Sequence, residues 1–102
     1  MQLSTPLHYL ITPSGNKTIG HCLDYDLVVS ADSYHEVLRR LTFIVGSHVH
    51  TAEKRKAVET LEHKAPEAFW KKFEHLRAEH NQETISGVLC EVARSTSHNE
   101  LQ

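Results

Sequence analysis

The sequence has few of the residues that mark secreted, membrane-spanning or nucleotide-binding proteins. It contains two cysteines and four glycines in 102 residues. Cys22 and Cys90 lie far apart among strand-forming residues, which favours reduced thiols over a disulfide framework. The glycines are too scattered for a phosphate-binding loop. No apolar run is long enough to cross a membrane and no signal peptide is recognisable, so we predict a cytoplasmic protein without a membrane partner.

An excess of charge of one sign is also missing. Eleven lysines and arginines oppose 13 aspartates and glutamates, which gives a net charge of −2 with neutral histidines. The chain therefore has no overall basic field, and any contact with nucleic acid must be local. The nine histidines can reverse the sign of the net charge as they protonate between about pH 5 and 7. The composition predicts one globular domain over residues 1–94 and a disordered polar tail over residues 95–102.

The first third of the chain has the pattern of three β-strands. Residues 7–12 are rich in β-forming side chains and are followed by turn-forming residues at 13–16. Residues 17–23 alternate in polarity, as a hairpin partner does. Residues 25–31 contain β-branched side chains and predict a third strand.

A helix is predicted directly after the third strand. Ser33 and Glu36 have the spacing at which two side chains satisfy the free backbone N–H groups at a helix start. Gly46 is unfavourable inside a helix and predicts a break or bend between residues 46 and 51. The apolar residues recur at helical spacing and form a stripe that can cover a sheet: Val37, Leu38, Leu41, Ile44, Val45 and Val49.

The second half predicts further helices and one more strand. Residues 52–64 suggest a weakly amphipathic surface helix, and Pro66 suits the start of another helix that runs to residue 80. Residues 85–93 are rich in β-branched side chains, which favours a strand over a short helix. The predicted fold class is α+β: a three-stranded antiparallel sheet plus a helix in the order β-β-β-α, with additional C-terminal helices and a fourth strand.

Residues 8–49 resemble the HicB-like antitoxin domain. Residues 20–37 carry the likeness and read Gly-His-Cys-Leu-Asp-Tyr-Asp-Leu-Val-Val-Ser-Ala-Asp-Ser-Tyr-His-Glu-Val. The resemblance implies a truncated ribonuclease H-like fold and a non-catalytic antitoxin that masks a small ribonuclease toxin of the HicA type. Many such proteins also carry a C-terminal ribbon-helix-helix or helix-turn-helix. This chain shows neither pattern, which leaves binding of operator DNA open.

Asp24 and Asp26 are the main candidates for chemistry. Two residues apart on or beside a strand, their carboxylates project to the same face and are typical ligands of magnesium. A nuclease site of the ribonuclease H type also needs carboxylates from other elements. We therefore favour a role in shaping the strand corner, and a small metal-dependent nuclease using both residues is the alternative.

No cofactor, metal site or catalytic nucleophile is predicted. His48 and His50 lack the i, i+4 spacing of a helical metal-binding pair. His21 and Cys22 are neighbours whose side chains point to opposite faces of a strand, so they cannot pair for nucleophilic catalysis.

We predict a non-catalytic protein-binding module that forms homo-oligomers and binds a small protein partner. Lys54, Arg55 and Lys56 form a three-residue basic run. This run is either a contact for phosphate or for an acidic partner, or a solvated helix face. An aromatic helical face, Phe69, Trp70, Phe73 and Leu76, suits either the core or an interface. The predicted partner contacts are Asp24, Asp26, Lys54, Arg55, Lys56 and Trp70. A second alternative is a DNA-binding transcriptional regulator that uses the basic run or the helix beginning at Pro66.

Overall fold

The computed structural model describes residues 6–56, 63–76, 80–85 and 87–95. The elements are β1 Leu7–Ser14, β2 Lys17–Cys22, β3 Leu27–Ala31, α1 Tyr34–Lys54, α2 Glu67–His75, β4 His80–Ile85 and β5 Val88–Arg94. None of the helices in these ranges is both long and apolar enough to cross a membrane.

The five strands form one mixed sheet in the order β3-β2-β1-β5-β4. β1 pairs antiparallel with β2 and parallel with β5, while β2–β3 and β4–β5 are antiparallel. The predicted three-stranded antiparallel sheet is therefore wrong. The chain returns from the helices on the far side of β1, so β1 is central and its edge is covered by the C-terminal hairpin.

α1 begins where the sequence predicts and continues further than predicted. The Ser33 side chain accepts a hydrogen bond from the backbone N–H of Glu36 at 3.2 Å, which caps the helix. No break occurs between residues 46 and 51, because Val45, Val49 and Ala52 are buried and hold this part of the helix on the sheet. A separate helix was predicted over residues 52–64, but residues 52–54 are instead the last residues of α1. Residues 57–62 of that predicted helix lie outside the described ranges.

The sheet is covered on both faces, which we name by the helix that lies on each. On the α1 face, β1 contributes Leu7, Tyr9 and Ile11 to the larger core cluster. On the α2 face, Leu10 packs in a smaller cluster with Phe73 and Leu76. The alternation of side chains along β1 thus supplies both cores, as expected for a central strand.

Tyr9 and Gly20 help to position α1 against the sheet. The hydroxyl of Tyr9, which is fully buried, lies 2.9 Å from the hydroxyl of Thr42. At Gly20, an added Cβ would lie 2.4 Å from Cγ1 of Val37 and 3.3 Å from a methyl of Leu41. Glycine at this strand position lets the helix approach the backbone of β2 closely.

The C-terminal hairpin contains one strand that was not predicted. β5 occupies most of the segment expected to be a strand, but β4 precedes it and is largely polar. Gly87 has a positive φ of 82° in the connection, a conformation that glycine adopts without strain. Ser95, assigned to the tail from sequence, is buried and donates its N–H to the carbonyl of Ile11; residues 96–102 lie outside the described ranges.

Candidate functional site

Asp24 and Asp26 lie in the four-residue turn that joins β2 to β3, not within a strand. Asp26 has a positive φ of 55°, which aspartate tolerates better than most residues. Because the backbone curls here, the two carboxylates engage different partners and do not converge as two residues of one strand face would. The structure places them at a strand corner.

The Asp24 carboxylate binds both the backbone and the ring of His8. One oxygen accepts the backbone N–H of His8 at 2.6 Å, and the other lies 3.0 Å from Nδ1 of the same residue. Nε2 of His8 lies 3.3 Å from a carboxylate oxygen of Glu91 on β5. The imidazole therefore bridges the β2–β3 turn and the C-terminal hairpin.

Asp26 forms a second histidine–carboxylate pair. Nε2 of His21 lies 2.7 Å from one of its oxygens, and Nε2 of His63 lies 3.8 Å from the other. His21 is buried, whereas the side chain of His63 is 79% exposed. The firm contact is thus between the turn and β2.

The aromatic residues of α2 cover both histidines. Trp70 and Phe73 contact the His8 ring with centroid distances of 5.2 and 5.4 Å, and Phe69 contacts His21 edge-on at 4.7 Å. The indole N–H of Trp70 donates to the carbonyl of Ala65. The predicted aromatic face is largely core, and Trp70 is a packing residue on the sheet.

The surroundings of His8 favour its charged form. The hydrogen bond that the ring donates to Asp24 raises the pKa of the imidazole above its ordinary value, burial lowers that pKa, and the nearby charges of Asp24 and Glu91 raise it further. The net direction is upward, so His8 holds its proton more firmly in the folded chain than in the unfolded one.

The two thiols lie in the core and are poor nucleophiles. Both cysteines are free, as the sequence predicts, and both are buried. Burial raises the pKa of Cys22 to about 12 and also raises that of Cys90. Because the thiolate is the reactive form, neither residue is suited to covalent catalysis near neutral pH.

The predicted carboxylate pair does not form a metal site in the described part of the chain. No group of three or more histidine, cysteine, aspartate or glutamate side chains is arranged there to hold a metal ion. Asp24 and Asp26 each accept hydrogen bonds from a different histidine. Their geometry therefore gives no support to a magnesium-dependent nuclease.

The basic run lies apart from the predicted aromatic contact. Lys54 is the last residue of α1, Arg55 is its C-cap, and Lys56 has a positive φ of 56°. All three are exposed, and positive charge is favourable at a helix C-terminus. Trp70 lies on the opposite face of the sheet, so the six predicted contact residues do not form one surface.

A strand edge that pairs with no other described strand adjoins the turn that carries the two aspartates. β3 is the outermost strand beside β2, and it contains no charged residue. Val28 is 58% exposed on the α2 face, opposite His21 in the register with β2. Phe69, which contacts His21, is itself 38% exposed. We name β3 together with Phe69 the β3 edge surface.

One polar contact lies on the β3 edge surface. Nη1 of Arg40 donates to the carbonyl of Ser30 at 3.1 Å, and the other terminal nitrogen of Arg40 lies 3.4 Å from a carboxylate oxygen of Glu36. Both Arg40 contacts are exposed, so an incoming strand can displace them at small cost.

The sequence alone did not single out His8, Glu91 or Val28. His8 interrupts the apolar first half of β1 with a side chain able to hydrogen-bond, which is a signal for a satisfied polar group on a packed face. The parallel pairing of β1 with β5, which places His8 opposite Glu91, has no local signature in the sequence.

Comparison of the chain with models of protein families, with curated proteins and with solved structures found no match.

Proposed function

We propose that this chain is a non-catalytic protein-binding module that takes up an extended segment of a small protein partner along the β3 edge surface. The observation that carries the proposal is the outer edge of β3, which pairs with no other described strand; β3 is uncharged and its Val28 is 58% exposed. Edge strands of this composition pair readily with another chain, and proteins usually protect them with charges, proline or bulges.

The edge offers both affinity and specificity to such a partner. The outward backbone N–H and C=O groups of β3 can continue the sheet, while alternate side chains of the added strand meet Val28 and Phe69. Burying apolar area contributes roughly 25 cal/mol per Å² before the cost of ordering the partner. The turn that carries Asp24 and Asp26 leads directly into Leu27, the first residue of β3, and holds β3 in position.

The arrangement of polar groups favours binding over catalysis. His8 and His21 are each hydrogen-bonded to a carboxylate and covered by α2. The thiols are buried and protonated. A catalytic acid, base or nucleophile has to reach its substrate; His21 and the thiols are buried, and both ring nitrogens of His8 are engaged by carboxylates of the same chain.

The resemblance to the HicB-like domain supplies the class of partner. We propose a small ribonuclease of the HicA type, whose activity is masked when it adds a strand to β3. The first four elements follow one another as β1, β2, β3 and α1, the order that the resemblance implies.

The experiment is affinity capture of the tagged protein from its own cells, followed by calorimetric titration with the recovered partner made recombinantly. Val28→Lys places a charge on the open edge and should weaken binding at least about tenfold. Leu89→Lys is the matched control, because Leu89 is 45% exposed on β5, a strand that is paired on both sides.

Stoichiometric recovery of a small protein with ribonuclease activity, weakened by Val28→Lys and unaffected by Leu89→Lys, supports the proposal. Equal effects of the two variants contradict the assignment of the edge. Recovery of a partner without ribonuclease activity removes the antitoxin function while leaving the binding module.

A further inference from the structure

The outer side of α1 carries an exposed aromatic residue next to a groove. Phe43 is 76% exposed, more than any other large hydrophobic residue in the described part of the chain. A groove of about 410 Å³ lies beside it, lined mainly by small or apolar residues: Thr42, Phe43, Gly46, Ser47, His50 and Val88. A bulky apolar side chain thus stands next to a groove between α1 and the start of β5.

Gly46, which lines this groove, is not required by close packing within the described part of the chain. An added Cβ at this position would meet nothing within 4 Å. Glycine is less favourable than alanine in a helix interior. Glycine also permits the close approach of another backbone.

The charges along the same side of α1 are arranged symmetrically about Gly46. Arg39 precedes it by seven residues and Glu53 follows it by seven. Both are exposed, and neither forms an ion pair with another described residue. Arg39, Phe43, Gly46, His50 and Glu53 are spaced alternately four and three residues apart, the spacing of a seam between two helices. We name these five residues the outer stripe.

We propose that a second copy of this chain packs on the outer stripe, with the two α1 helices crossing in antiparallel orientation at Gly46. A two-fold axis at that point brings Arg39 of each copy to Glu53 of the other. The same axis directs Phe43 of each copy toward the groove beside Gly46 and His50 of the other. A two-fold interface must be self-complementary in this way.

Charge decides the orientation of the pair. Two parallel helices would place Arg39 against Arg39 and Glu53 against Glu53, which is repulsive at both ends. The antiparallel pair has an attractive contact at each end, and electrostatic complementarity fixes orientation more strongly than it sets affinity. The outer stripe lies on the α1 side of the sheet, so the dimer leaves Val28 and Phe69 on the opposite face accessible.

The first test is sedimentation velocity from low micromolar to near millimolar protein. The native chain should show a monomer–dimer equilibrium, and Phe43→Ser should raise its dissociation constant at least about tenfold. Ile44→Ser is the control, because Ile44 is 37% exposed on the same helix but off the stripe, and it should change the constant less than about twofold. Thermal unfolding of each variant shows that the monomer still folds.

Charge exchange tests the orientation. Arg39→Glu and Glu53→Arg should each weaken the dimer, and the double variant should restore native affinity, because the opposed pair is re-formed with its signs reversed. A chain that stays monomeric over the whole range, equal effects of Phe43→Ser and Ile44→Ser, or failure of the double variant to recover would overturn the proposal.

A substitution at the crossing point separates the dimer from the stability of the monomer. Gly46→Gln places a long side chain at a position that has open space in the monomer. Glutamine is also a better helix former than glycine. It should raise the thermal midpoint of the monomer while weakening the dimer at least about tenfold. An unchanged dissociation constant would exclude Gly46 as the point of contact.

Discussion

Replacing Gly20 by alanine should lower the free energy of unfolding by roughly 1 to 3 kcal/mol, the usual cost of overpacking a core. The added Cβ would lie 2.4 Å from Cγ1 of Val37, where roughly 3.5 to 4.0 Å is the normal separation of carbon atoms. Leu41 and Ile11 lie at 3.3 and 3.5 Å, so the new methyl has no free space to either side. Val37 is fully buried, and relief requires a displacement of α1 or an unfavourable rotamer.

Urea unfolding followed by circular dichroism measures this cost, and a double-mutant cycle assigns it to one contact. Val37→Ala removes the clashing methyl and should itself cost roughly 2 kcal/mol through lost burial and the cavity it leaves. In the double variant the new methyl occupies part of that cavity. The double variant should therefore lose less unfolding free energy than the two single variants lose together, by about 1 kcal/mol or more.

Additive costs in this cycle, or a neutral Gly20→Ala variant, would refute the packing of α1 on β2 described above. The consequence would extend beyond one contact. The exposure of Phe43 on the outer stripe depends on which side of α1 faces the sheet, and that orientation is fixed by Val37 and Leu41.

Two further outcomes follow from buried polar groups. Tyr9→Phe should cost about 1 to 2 kcal/mol in urea unfolding, because it leaves the buried Thr42 hydroxyl without the partner that lies 2.9 Å away; no change would contradict that contact. The raised pKa of His8 stabilises the fold below the ordinary value of 6.5, and the stabilisation is lost as pH rises through the higher folded value. The stability lost on His8→Gln should therefore be larger at about pH 6 than at about pH 9, and equal losses would contradict the pairing with Asp24.

The elements of the first half could be predicted from sequence because their signals are local. The Ser33 cap acts within one turn of helix, and the β-branched residues of β3 favour a strand without help from distant contacts. The continuity of α1 past Gly46 could not be predicted in this way. Burial of Val45 and Val49 against the sheet outweighs a local cost of about 1 kcal/mol. Ile44, expected on the buried stripe, lies at its border and is 37% exposed.

The sheet itself was mispredicted because its pairing is not local. β4 is an edge strand of polar residues, and its strand character comes from hydrogen bonds with β5 rather than from its own composition. β1 and β5 are separated by most of the chain, and a parallel pair between such segments is not marked by a short turn in the sequence.

The candidate site was predicted in part. Asp24 and Asp26 were recognised as residues of the strand corner, and the structure places them in the turn before β3. Their histidine partners were missed, because His8 reaches Asp24 only through the pairing of β1 with β2. Phe43 was overlooked because periodicity identifies the side of a helix that is buried and says nothing of a second, exposed stripe.

Backbone hydrogen exchange of the chain, free and bound to its captured partner, tests the central claim most directly. Binding along the β3 edge surface predicts slower exchange at the outward-pointing amides of Leu27–Ala31, which gain acceptors from the new strand, and unchanged exchange in β4, the other edge of the same sheet. Unchanged exchange in β3, or protection confined to β4, would contradict the account.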